Sequence, residues 1–518
     1  MQRRTFLKHV GGGSLGAATL GYLPSYPLTA ARAGYDSYSP ESQGVSSAGL
    51  LKFFDAVDAS GLEFHSIMIN RHGKTLLEGW WEPFRKEYVH ALYSLSKSFT
   101  ATAIGMLHDD GKLSVEDKVI TFFPDKLPTT VSDHLAAMRI YDLLTMHTGH
   151  DEDTMGRISS EGDDWVKTFL SLDVPRPPGS YFLYNTGATY MLSAIAQQVS
   201  GQRLIDFLQP RLWEPLGIVG ADWQEDPRGI NYGGFGLRVR TPDILNFGQM
   251  YLQQGQWKGE PLLSAEWVSE ATQKQVDSQD NDGDWGQGYG YQFWRCTPGG
   301  YRGDGAYGQY CIVLPDQDAV IAITSETQDM GASMQLVWDH ILPAMQDAPT
   351  LPEDKQAYEA LIQRTKQLTL PVEKGLFSDT IASKIDQRTY TFEDNDFRAK
   401  SVTFRFRDNE CEMALAEGDQ TISITSGQSH WITADNEKAG DTLLAIPGRT
   451  PMPTKVASYY CWTDPQTLVM KLKYVENAHH DVFTFSFTDQ ALTLTFDNSL
   501  SYQSDGGDRR ATLKARSS

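Results

Sequence analysis

Two kinds of hydrophobic periodicity follow one another along the chain. A helical pattern over residues 49–60 precedes two alternating segments, residues 64–70 and 75–81, which predict a β-hairpin. Helical patterns then dominate until strand patterns return, and an apolar helix over residues 334–345 closes the region. These patterns predict an α/β (α+β) unit: an antiparallel sheet flanked by helices, with an all-helical lobe inserted between its strands.

The inserted lobe and the returning strands have defined positions. The predicted helices cover residues 98–107, 140–146, 165–172, 187–199, 241–254 and 264–275, and the predicted strands cover residues 288–294, 306–314 and 319–324. Because sheet segments lie on both sides of the lobe in sequence, we expect a functional site between the lobe and the sheet.

The last third of the chain has a strict period of two. Short alternating segments with turn residues between them predict strands at residues 402–406, 422–424, 468–472, 482–487 and 492–496. We therefore predict a first domain over residues 34–348, a linker over 349–370 and a smaller all-β domain, a sandwich or barrel, over 371–518. Because this β domain follows a complete lobe-and-sheet unit, we expect it to be accessory.

Size and charge narrow the classes of function. A chain of 518 residues is long for one hydrophobic core, which favours two domains. With 45 basic and 66 acidic residues, the formal charge is −21, and this charge argues against binding to a phosphate backbone. We expect no nucleic-acid partner.

The N-terminus has the pattern of an export signal. Arg3 and Arg4 precede a mildly apolar run over residues 10–23 and the small-residue segment 31–33, so we predict a twin-arginine signal peptide over residues 1–33. The alternative, a membrane anchor, needs about 20 apolar residues, and this run is shorter and rich in glycine. We expect a bacterial periplasmic or secreted protein with no integral membrane span after signal removal.

Four cysteines are too few and too scattered for a disulfide framework or a zinc site. If one disulfide forms in an oxidising compartment, we expect it to join Cys411 and Cys461.

Residues 93–97 (YSLSK) place a hydroxyl and an amine three residues apart at the start of an apolar helix, which ends near Gly111. One helical turn brings Ser94 and Lys97 onto the same face. Burial lowers the pKa of a lysine, which is the condition for Lys97 to act as a base toward Ser94. The alternative is a chance match, since S-x-x-K alone is a weak motif.

Residues 176–187 (RPPGSYFLYNTG) form a turn-rich segment that opens the helix predicted from residue 187. Tyr184 can act as a base or proton relay if a cation such as Lys97 lowers its pKa. The alternative is a helix-capping loop with a packed tyrosine.

Residues 301–310 (YRGDGAYGQY) precede an apolar strand, and their small residues let a substrate approach the backbone closely. A backbone N–H here, together with the N–H of Ser94, would form an oxyanion hole. The alternative is an ordinary glycine-rich loop.

In this order, the three stretches resemble the serine β-lactamase and penicillin-binding superfamily, nearest its class C-like branch. Further phrases in the style of that branch are residues 141–149 (YDLLTMHTG), 178–179 (PG), 213–217 (WEPLG) and 233–237 (GGFGL). The resemblance covers about residues 40 to 345 and, taken as a set, is specific. It implies Ser94 as the acylated nucleophile, Lys97 as its activating partner and Tyr184 as the motif tyrosine.

The chain departs from the family pattern at two motifs. At the first motif, the family usually has tyrosine, any residue and asparagine, whereas this chain has Tyr184, Asn185 and Thr186. At the second motif, the family usually has Lys or His followed by Thr and Gly, whereas this chain has residues 303–305 (GDG) or 302–304 (RGD). We expect the backbone donor to survive at the Ala306 N–H. The candidate substrate-binding residues are Asn185, Thr186, Arg302, Asp304 and Gly305.

The resemblance implies a serine hydrolase that acts through an acyl-enzyme on a small ester, amide or peptide, with β-lactams disfavoured by the missing carboxylate-binding charge. It implies no cofactor and no metal. The alternative is a non-catalytic binding or sensor protein of the same fold. The histidines and acids of residues 147–153 (HTGHDED) look like a metal cluster but overlap a family phrase, and His479 and His480 are expected to be a solvated pair.

Overall fold

The computed structural model describes residues 38–278, 282–375, 379–436, 454–500, 508 and 510–517. The predicted signal peptide, residues 1–33, lies outside the described residues. Among the described residues, no helix combines the length and apolar character needed to cross a bilayer.

Each predicted helical segment contains an α-helix, and shorter helices that the sequence did not predict are also present. In chain order the α-helices are α1 (Ser47–Ser60), α2 (Ser96–Asp109), α3 (Asp133–Ala137), α4 (Ile140–Leu144), α5 (Met155–Ser160), α6 (Trp165–Ser171), α7 (Thr186–Ser200), α8 (Leu204–Leu208), α9 (Glu214–Leu216), α10 (Thr241–Leu252), α11 (Ala265–Thr272), α12 (Met330–Leu336), α13 (Leu342–Ala344), α14 (Lys355–Lys366) and α15 (Asp379–Ile385).

The strands fall into two groups along the chain. The first group is β1 (Glu63–Arg71), β2 (Lys74–Trp80), β3 (His90–Ala91), β4 (Asp222–Trp223), β5 (Leu237–Val239), β6 (Gln256–Trp257), β7 (Glu260–Pro261), β8 (Trp294–Arg295), β9 (Tyr301–Gly305), β10 (Gln309–Leu314) and β11 (Ala319–Glu326). The second group is β12 (Thr389–Phe392), β13 (Ala399–Arg407), β14 (Glu410–Glu417), β15 (Gln420–Gln428), β16 (Ile432–Asn436), β17 (Thr454–Asp464), β18 (Thr467–Tyr474), β19 (His480–Phe487), β20 (Ala491–Asn498) and β21 (Leu513–Ser517).

The first domain is built on an antiparallel sheet with the strand order β2-β1-β11-β10-β9-β8. Successive side chains of a strand point to opposite faces. In β1, Met68 packs into the core on the side of the helical lobe, whereas Ile67 and Ile69 pack on the other side with α1. Both faces of the sheet are therefore covered, and the lobe from α2 to α11 is inserted between β2 and β8, as the sequence predicts.

Three segments differ from the prediction. Tyr301–Gly305 is strand β9, not a loop before a strand, and it pairs with β10 from Tyr301 opposite Val313 to Gly305 opposite Gln309. The strand predicted over residues 288–294 is reduced to β8, Trp294–Arg295. The closing helix begins at Met330 and is interrupted by a π-helical turn at Val337–Ile341.

The second domain is a barrel. Its strands follow one another antiparallel from β15 through β14, β13, β12, β21, β20, β19 and β18 to β17, and a short parallel contact between β15 and β17 closes the ring. Alternate side chains fill the interior, among them Phe404, Met470 and Phe485. An all-β domain is confirmed, and its closure removes most of the unpaired strand edges that an open sheet would expose.

The barrel and the first domain share a hydrophobic core. Trp431, Tyr459 and Val475 of the barrel belong to the same buried cluster as α1 and the outer face of the first sheet. The predicted linker contributes α14, whose Leu361 is buried in that cluster. The two domains are therefore in direct contact through buried side chains, and the predicted linker is part of this contact.

Cys411 and Cys461 are both free and buried, as are Cys296 and Cys311. The expected disulfide is absent because Cys411 belongs to the barrel interior, whereas Cys461 belongs to the cluster shared with the first domain.

Candidate active site

Ser94 lies in a single 3-10 turn, Tyr93–Leu95, that leads directly into α2. The helix is buried over most of its length because small and apolar residues surround it, whereas Ser94 itself remains partly exposed. Tyr93, just before the serine, has a φ of +50°, a left-handed conformation that is uncommon for a bulky residue. The chain thus presents the Ser94 hydroxyl at the N-terminal edge of a rigid helix.

Lys97 is 1% exposed and points back toward this serine. Its Nζ donates to the Ser94 Oγ at 3.1 Å and to the carbonyl oxygen of Gly234 at 2.8 Å. Burial lowers the pKa of Lys97 to about 8, against the opposing influence of Asp153 and Asp304. A substantial fraction of Lys97 is therefore neutral in mildly alkaline solution and able to accept a proton.

Tyr184 lies beside these two groups. Its ring stacks on Trp294 with a centroid distance of 5.5 Å, and the Lys97 Nζ lies 4.9 Å from the Tyr184 centroid. Burial and the Asp304 carboxylate raise the pKa of Tyr184, while a hydrogen bond with Ser94 acts in the opposite direction. Tyr184 is therefore a neutral phenol that can donate a hydrogen bond, and Lys97 is the better-suited base.

Asn185 and Thr186 occupy different environments. Asn185 is fully buried as the N-cap of α7, where its Oδ1 accepts from the N–H groups of Gly187 (3.1 Å) and Thr154 (3.0 Å). Thr186 instead lies at the site, with its Oγ1 3.5 Å from the Lys97 Nζ. The motif position that departs from the family pattern is thus the one that faces the lysine.

Glycines let β9 lie directly against the start of α2. A Cβ at Gly303 would be 2.4 Å from Leu95 Cδ1, and a Cβ at Gly305 would be 2.0 Å from the carbonyl oxygen of Leu92. Any side chain at Gly305 would therefore push the strand away from the turn that holds Ser94. Gly305 contributes close packing of the backbone and has no side chain with which to bind substrate.

Arg302 and Asp304 form an ion pair inside the protein. Arg302 is fully buried, and its Nε donates to the Asp304 Oδ2 at 2.9 Å. The guanidinium also donates to the carbonyl oxygen of Arg295 at 2.9 Å and lies 5.2 Å from the Trp285 ring centroid. Arg302 is consequently engaged with protein groups.

Ala306 follows β9 and begins the turn to β10, so it is adjacent to Gly305, which packs on the serine turn. The N–H groups of Ser94 and Ala306 therefore lie on adjoining segments, and their availability to a substrate oxygen stays a prediction. Two unsatisfied N–H donors on adjoining segments are what an oxyanion hole requires.

The structure thus brings Ser94, Lys97, Tyr184 and Thr186 together and places β9 against the serine turn. It engages the side chains of Asn185 and Arg302 in other buried contacts. The catalytic and substrate-binding roles of all these residues stay predictions.

Sequence reasoning missed two contributors to the site. The Gly234 carbonyl holds Lys97 through a backbone atom, which no residue type reveals, although residues 233–237 stood out as a phrase. Asp153 accepts from the Thr186 N–H at 2.9 Å and raises the pKa of Lys97 electrostatically. Asp153 belongs to the segment 147–153, whose histidines and acids resemble a metal cluster in the sequence and give no sign of a contact with Thr186 or Lys97.

Comparisons with known proteins place the chain in a family. The family model described as Beta-lactamase matches residues 55–346. The chain is 24% identical over 287 residues to a 6-aminohexanoate-dimer hydrolase of Paenarthrobacter ureafaciens. The alignment covers 51% of this chain and 73% of the relative. The chain is also 26% identical over 272 residues to penicillin-binding protein 4 of Amycolatopsis lactamdurans, covering 44% of this chain and 70% of the relative.

Among solved structures, a putative 6-aminohexanoate-dimer hydrolase from Bacillus anthracis aligns with a TM-score of 0.49 and 20% identity, covering 58% of this chain and 83% of that chain. The family model spans more than half of the chain and includes every residue of the candidate site. The chain belongs to the β-lactamase family and is a serine hydrolase of the β-lactamase-related type.

Proposed function

We propose that this protein is an exported serine hydrolase that cleaves a small ester or amide through an acyl-enzyme on Ser94. The observation that carries the proposal is the 3.1 Å contact between the Ser94 Oγ and the buried Lys97 Nζ. A lysine in this position costs stability, because burial disfavours its charged form. A role as the base for the neighbouring nucleophile Ser94 accounts for a lysine at this unfavourable position.

In the acylation step, the Ser94 Oγ attacks the carbonyl carbon of the substrate while the neutral Lys97 Nζ accepts the hydroxyl proton. The tetrahedral intermediate then collapses, the bond to the leaving group breaks, and the leaving alcohol or amine takes up a proton. Tyr184 is neutral and hydrogen-bonded to Ser94, so it relays this proton from Lys97. Attack by water on the resulting ester releases the acid and restores Ser94.

The negative charge of the intermediate forms on the former carbonyl oxygen. The N–H groups of Ser94 and Ala306 supply the donors that stabilise it. Their segments are held in register because Gly305 allows β9 to lie against Leu92, two residues before the serine.

The charges around the site favour a substrate without a carboxylate. Asp153 and Asp304 both raise the pKa of Lys97, so two carboxylates act on the site electrostatically, and of these Asp304 is balanced by Arg302. Arg302, which could have bound a substrate carboxylate, is paired with Asp304. A charge-assisted hydrogen bond to such a carboxylate contributes about 1.5–3 kcal/mol, so its loss lowers the acylation rate of a β-lactam by about one to two powers of ten.

A labelling experiment tests the proposal against a non-catalytic binding protein of the same fold. The wild-type protein should react with a fluorophosphonate probe, the Ser94→Ala variant should not react, and the Lys97→Ala variant should react far more slowly. Lys167, exposed on α6, provides a matched lysine control, and Lys167→Ala should label at the wild-type rate. An unlabelled wild-type protein with a native thermal transition would favour the binding protein.

We also propose export by the twin-arginine route with cleavage after Ala33. Replacement of Arg3 and Arg4 by lysine should retain the precursor in the cytoplasm of a bacterial host. Mature protein in the periplasm of the variant strain would contradict this route.

A further inference from the structure

The turn that joins β18 to β19 reaches from the barrel to the residue before the nucleophile. The Ala91 N–H donates to the Glu476 carbonyl oxygen at 3.1 Å. The Tyr93 hydroxyl donates to the Asn477 Oδ1 at 2.7 Å and lies 2.6 Å from the His479 Nε2. Side chains of the second domain thus contact Tyr93, the residue directly before Ser94 in the chain.

Two tyrosines next to the candidate oxyanion donors have strained backbones. Tyr93, before Ser94, has a φ of +50°, and Tyr307, after Ala306, has a φ of +67°. A non-glycine residue in such a conformation costs about 1–3 kcal/mol and persists only where its surroundings hold it. The Tyr93 conformation orients the peptide unit that carries the Ser94 N–H, whereas Tyr307 lies in the turn directly after Ala306, one peptide unit beyond the unit that carries the Ala306 N–H.

His479 contacts both of these tyrosines edge-on. Its ring centroid lies 5.8 Å from Tyr93 at an interplanar angle of 84°, and 4.6 Å from Tyr307 at 88°. The two tyrosine rings contact each other at 5.1 Å. The fully buried Ala478 belongs to the same cluster, so the barrel turn fills the space behind the two strained residues.

The other side of the His479 ring is also held. Its Nδ1 lies 3.1 Å from the Ser499 Oγ and 3.3 Å from the Glu326 Oε1. Glu326, at the end of β11, also pairs with the buried Lys473 of the barrel, which in turn pairs with Glu63 of β1. The imidazole is therefore fixed between the end of the first sheet and the tyrosines.

The same network includes three side chains whose spacing resembles that of metal ligands. Ligand atoms of Glu63, His65 and Glu326 lie within 4.8 Å of one another. The Lys473 ammonium makes ion pairs with both carboxylates and supplies the positive charge that a cation would bring. The cluster is thus a connection between the domains.

We propose that His479 and Asn477 are positioning residues: both hold Tyr93 in the conformation that aims the Ser94 N–H at the substrate oxygen, and His479 also packs on Tyr307 in the turn that follows Ala306. This inference rests on the proposed function of the same site. On this proposal the barrel supplies neither nucleophile nor base, but it is required for the oxyanion hole to keep its shape.

The chemistry predicts which kinetic parameter changes. Misplacement of an oxyanion donor weakens binding of the transition state more than binding of the substrate, so kcat should fall while KM stays nearly constant. A displacement of about 1 Å at a catalytic group costs up to about a hundredfold in rate. We expect His479→Ala to lower kcat for p-nitrophenyl butyrate by about tenfold to a hundredfold.

Three further variants separate positioning from mere domain packing. In His479→Gln, an amide nitrogen can replace the imidazole Nε2, so most of kcat should return. Tyr93→Phe removes only the hydroxyl and should lower kcat in the same direction. In the double variant Tyr93→Phe with His479→Ala, the two losses should be less than additive, because both remove the same contact. The exposed His430→Ala is the matched control and should retain wild-type kinetics.

Thermal unfolding of each variant accompanies the kinetics, so that loss of fold is recognised. The inference is overturned if folded His479→Ala and Tyr93→Phe retain wild-type kcat, or if they raise KM alone. Should His479→Ala fail to fold, Tyr93→Phe and His479→Gln decide between the same outcomes. A wild-type protein that neither hydrolyses the ester nor reacts with a fluorophosphonate would overturn the proposed function itself, and this inference with it.

Discussion

Acylation of Ser94 should depend on pH through Lys97. The perturbation is a change of pH from 6 to 9.5, with the rate of fluorophosphonate labelling as the measurement. Lys97 must be neutral to accept the serine proton, and burial lowers its pKa to about 8. The rate should therefore rise with pH and reach a plateau above this pKa.

The size of the effect follows from the ionisation of one group. With a pKa of about 8, roughly a tenth of Lys97 is neutral at pH 7, half at pH 8 and nine tenths at pH 9. The labelling rate should accordingly increase about tenfold between pH 7 and the plateau. An unperturbed lysine, with a pKa of about 10.4, would show no plateau in this range.

Lys97→Ala provides the control for this profile. It should label far more slowly at every pH and should lose the midpoint near 8. A flat profile for the wild-type protein, or a midpoint below pH 7 that survives in Lys97→Ala, would refute the assignment of Lys97 as the base.

Four further outcomes are expected. Lys97→Met should raise the free energy of unfolding in urea at pH 7 by up to about 3 kcal/mol, because it removes a buried charge, and the gain should shrink as pH rises above about 8, where the native lysine becomes neutral before the unfolded one. Arg302→Met should lower the free energy of unfolding by about 3–5 kcal/mol, because Asp304 would lose its buried partner. Native protein should not react with Ellman's reagent, because burial raises the pKa of its thiols, and denatured protein should release four thiols, not the two that a disulfide between Cys411 and Cys461 would leave. On one preparation, kcat/KM should be higher for p-nitrophenyl butyrate than for nitrocefin, and a clear preference for nitrocefin would contradict the substrate class.

The parts of the fold that depend on local periodicity were predictable from the sequence. Helix α1 and the β1–β2 hairpin lie within two residues of the predicted segments, because their apolar positions recur at the period of each element. The place of Ser94 and Lys97 on one face of α2 follows from helix geometry in the same way.

Strand β9 was not predictable from the same signals. Its glycines lower intrinsic strand propensity, so residues 301–305 looked like a loop. The reason for the glycines lies elsewhere in the chain, in the close approach to Leu92 and Leu95, and such tertiary contacts leave no periodic trace. That residues 301–305 lie beside the serine turn could be inferred only from the resemblance to a family.

The expectation of a solvated histidine pair is wrong for a similar reason. His479 is fully buried between two tyrosines of the first domain, and the Nδ1 of its neighbour His480 lies 2.8 Å from the Glu326 Oε2. His479 lies in the turn just before β19 and His480 begins that strand, and both side chains meet protein because the barrel is packed against the first sheet. Contacts between domains depend on docking, which local sequence does not determine.

The central claim is that Ser94 carries the acyl group. Wild-type and Ser94→Ala protein should be mixed with a slowly hydrolysed activated ester, quenched in acid and measured by intact mass, followed by peptide mapping. Ser96→Ala is the neighbouring control, since Ser96 is fully buried and donates to the Tyr93 carbonyl at 2.6 Å. The account predicts one acyl adduct on the peptide that contains Ser94 in the wild-type and Ser96→Ala proteins and none in Ser94→Ala; an adduct of equal yield in folded Ser94→Ala would contradict it.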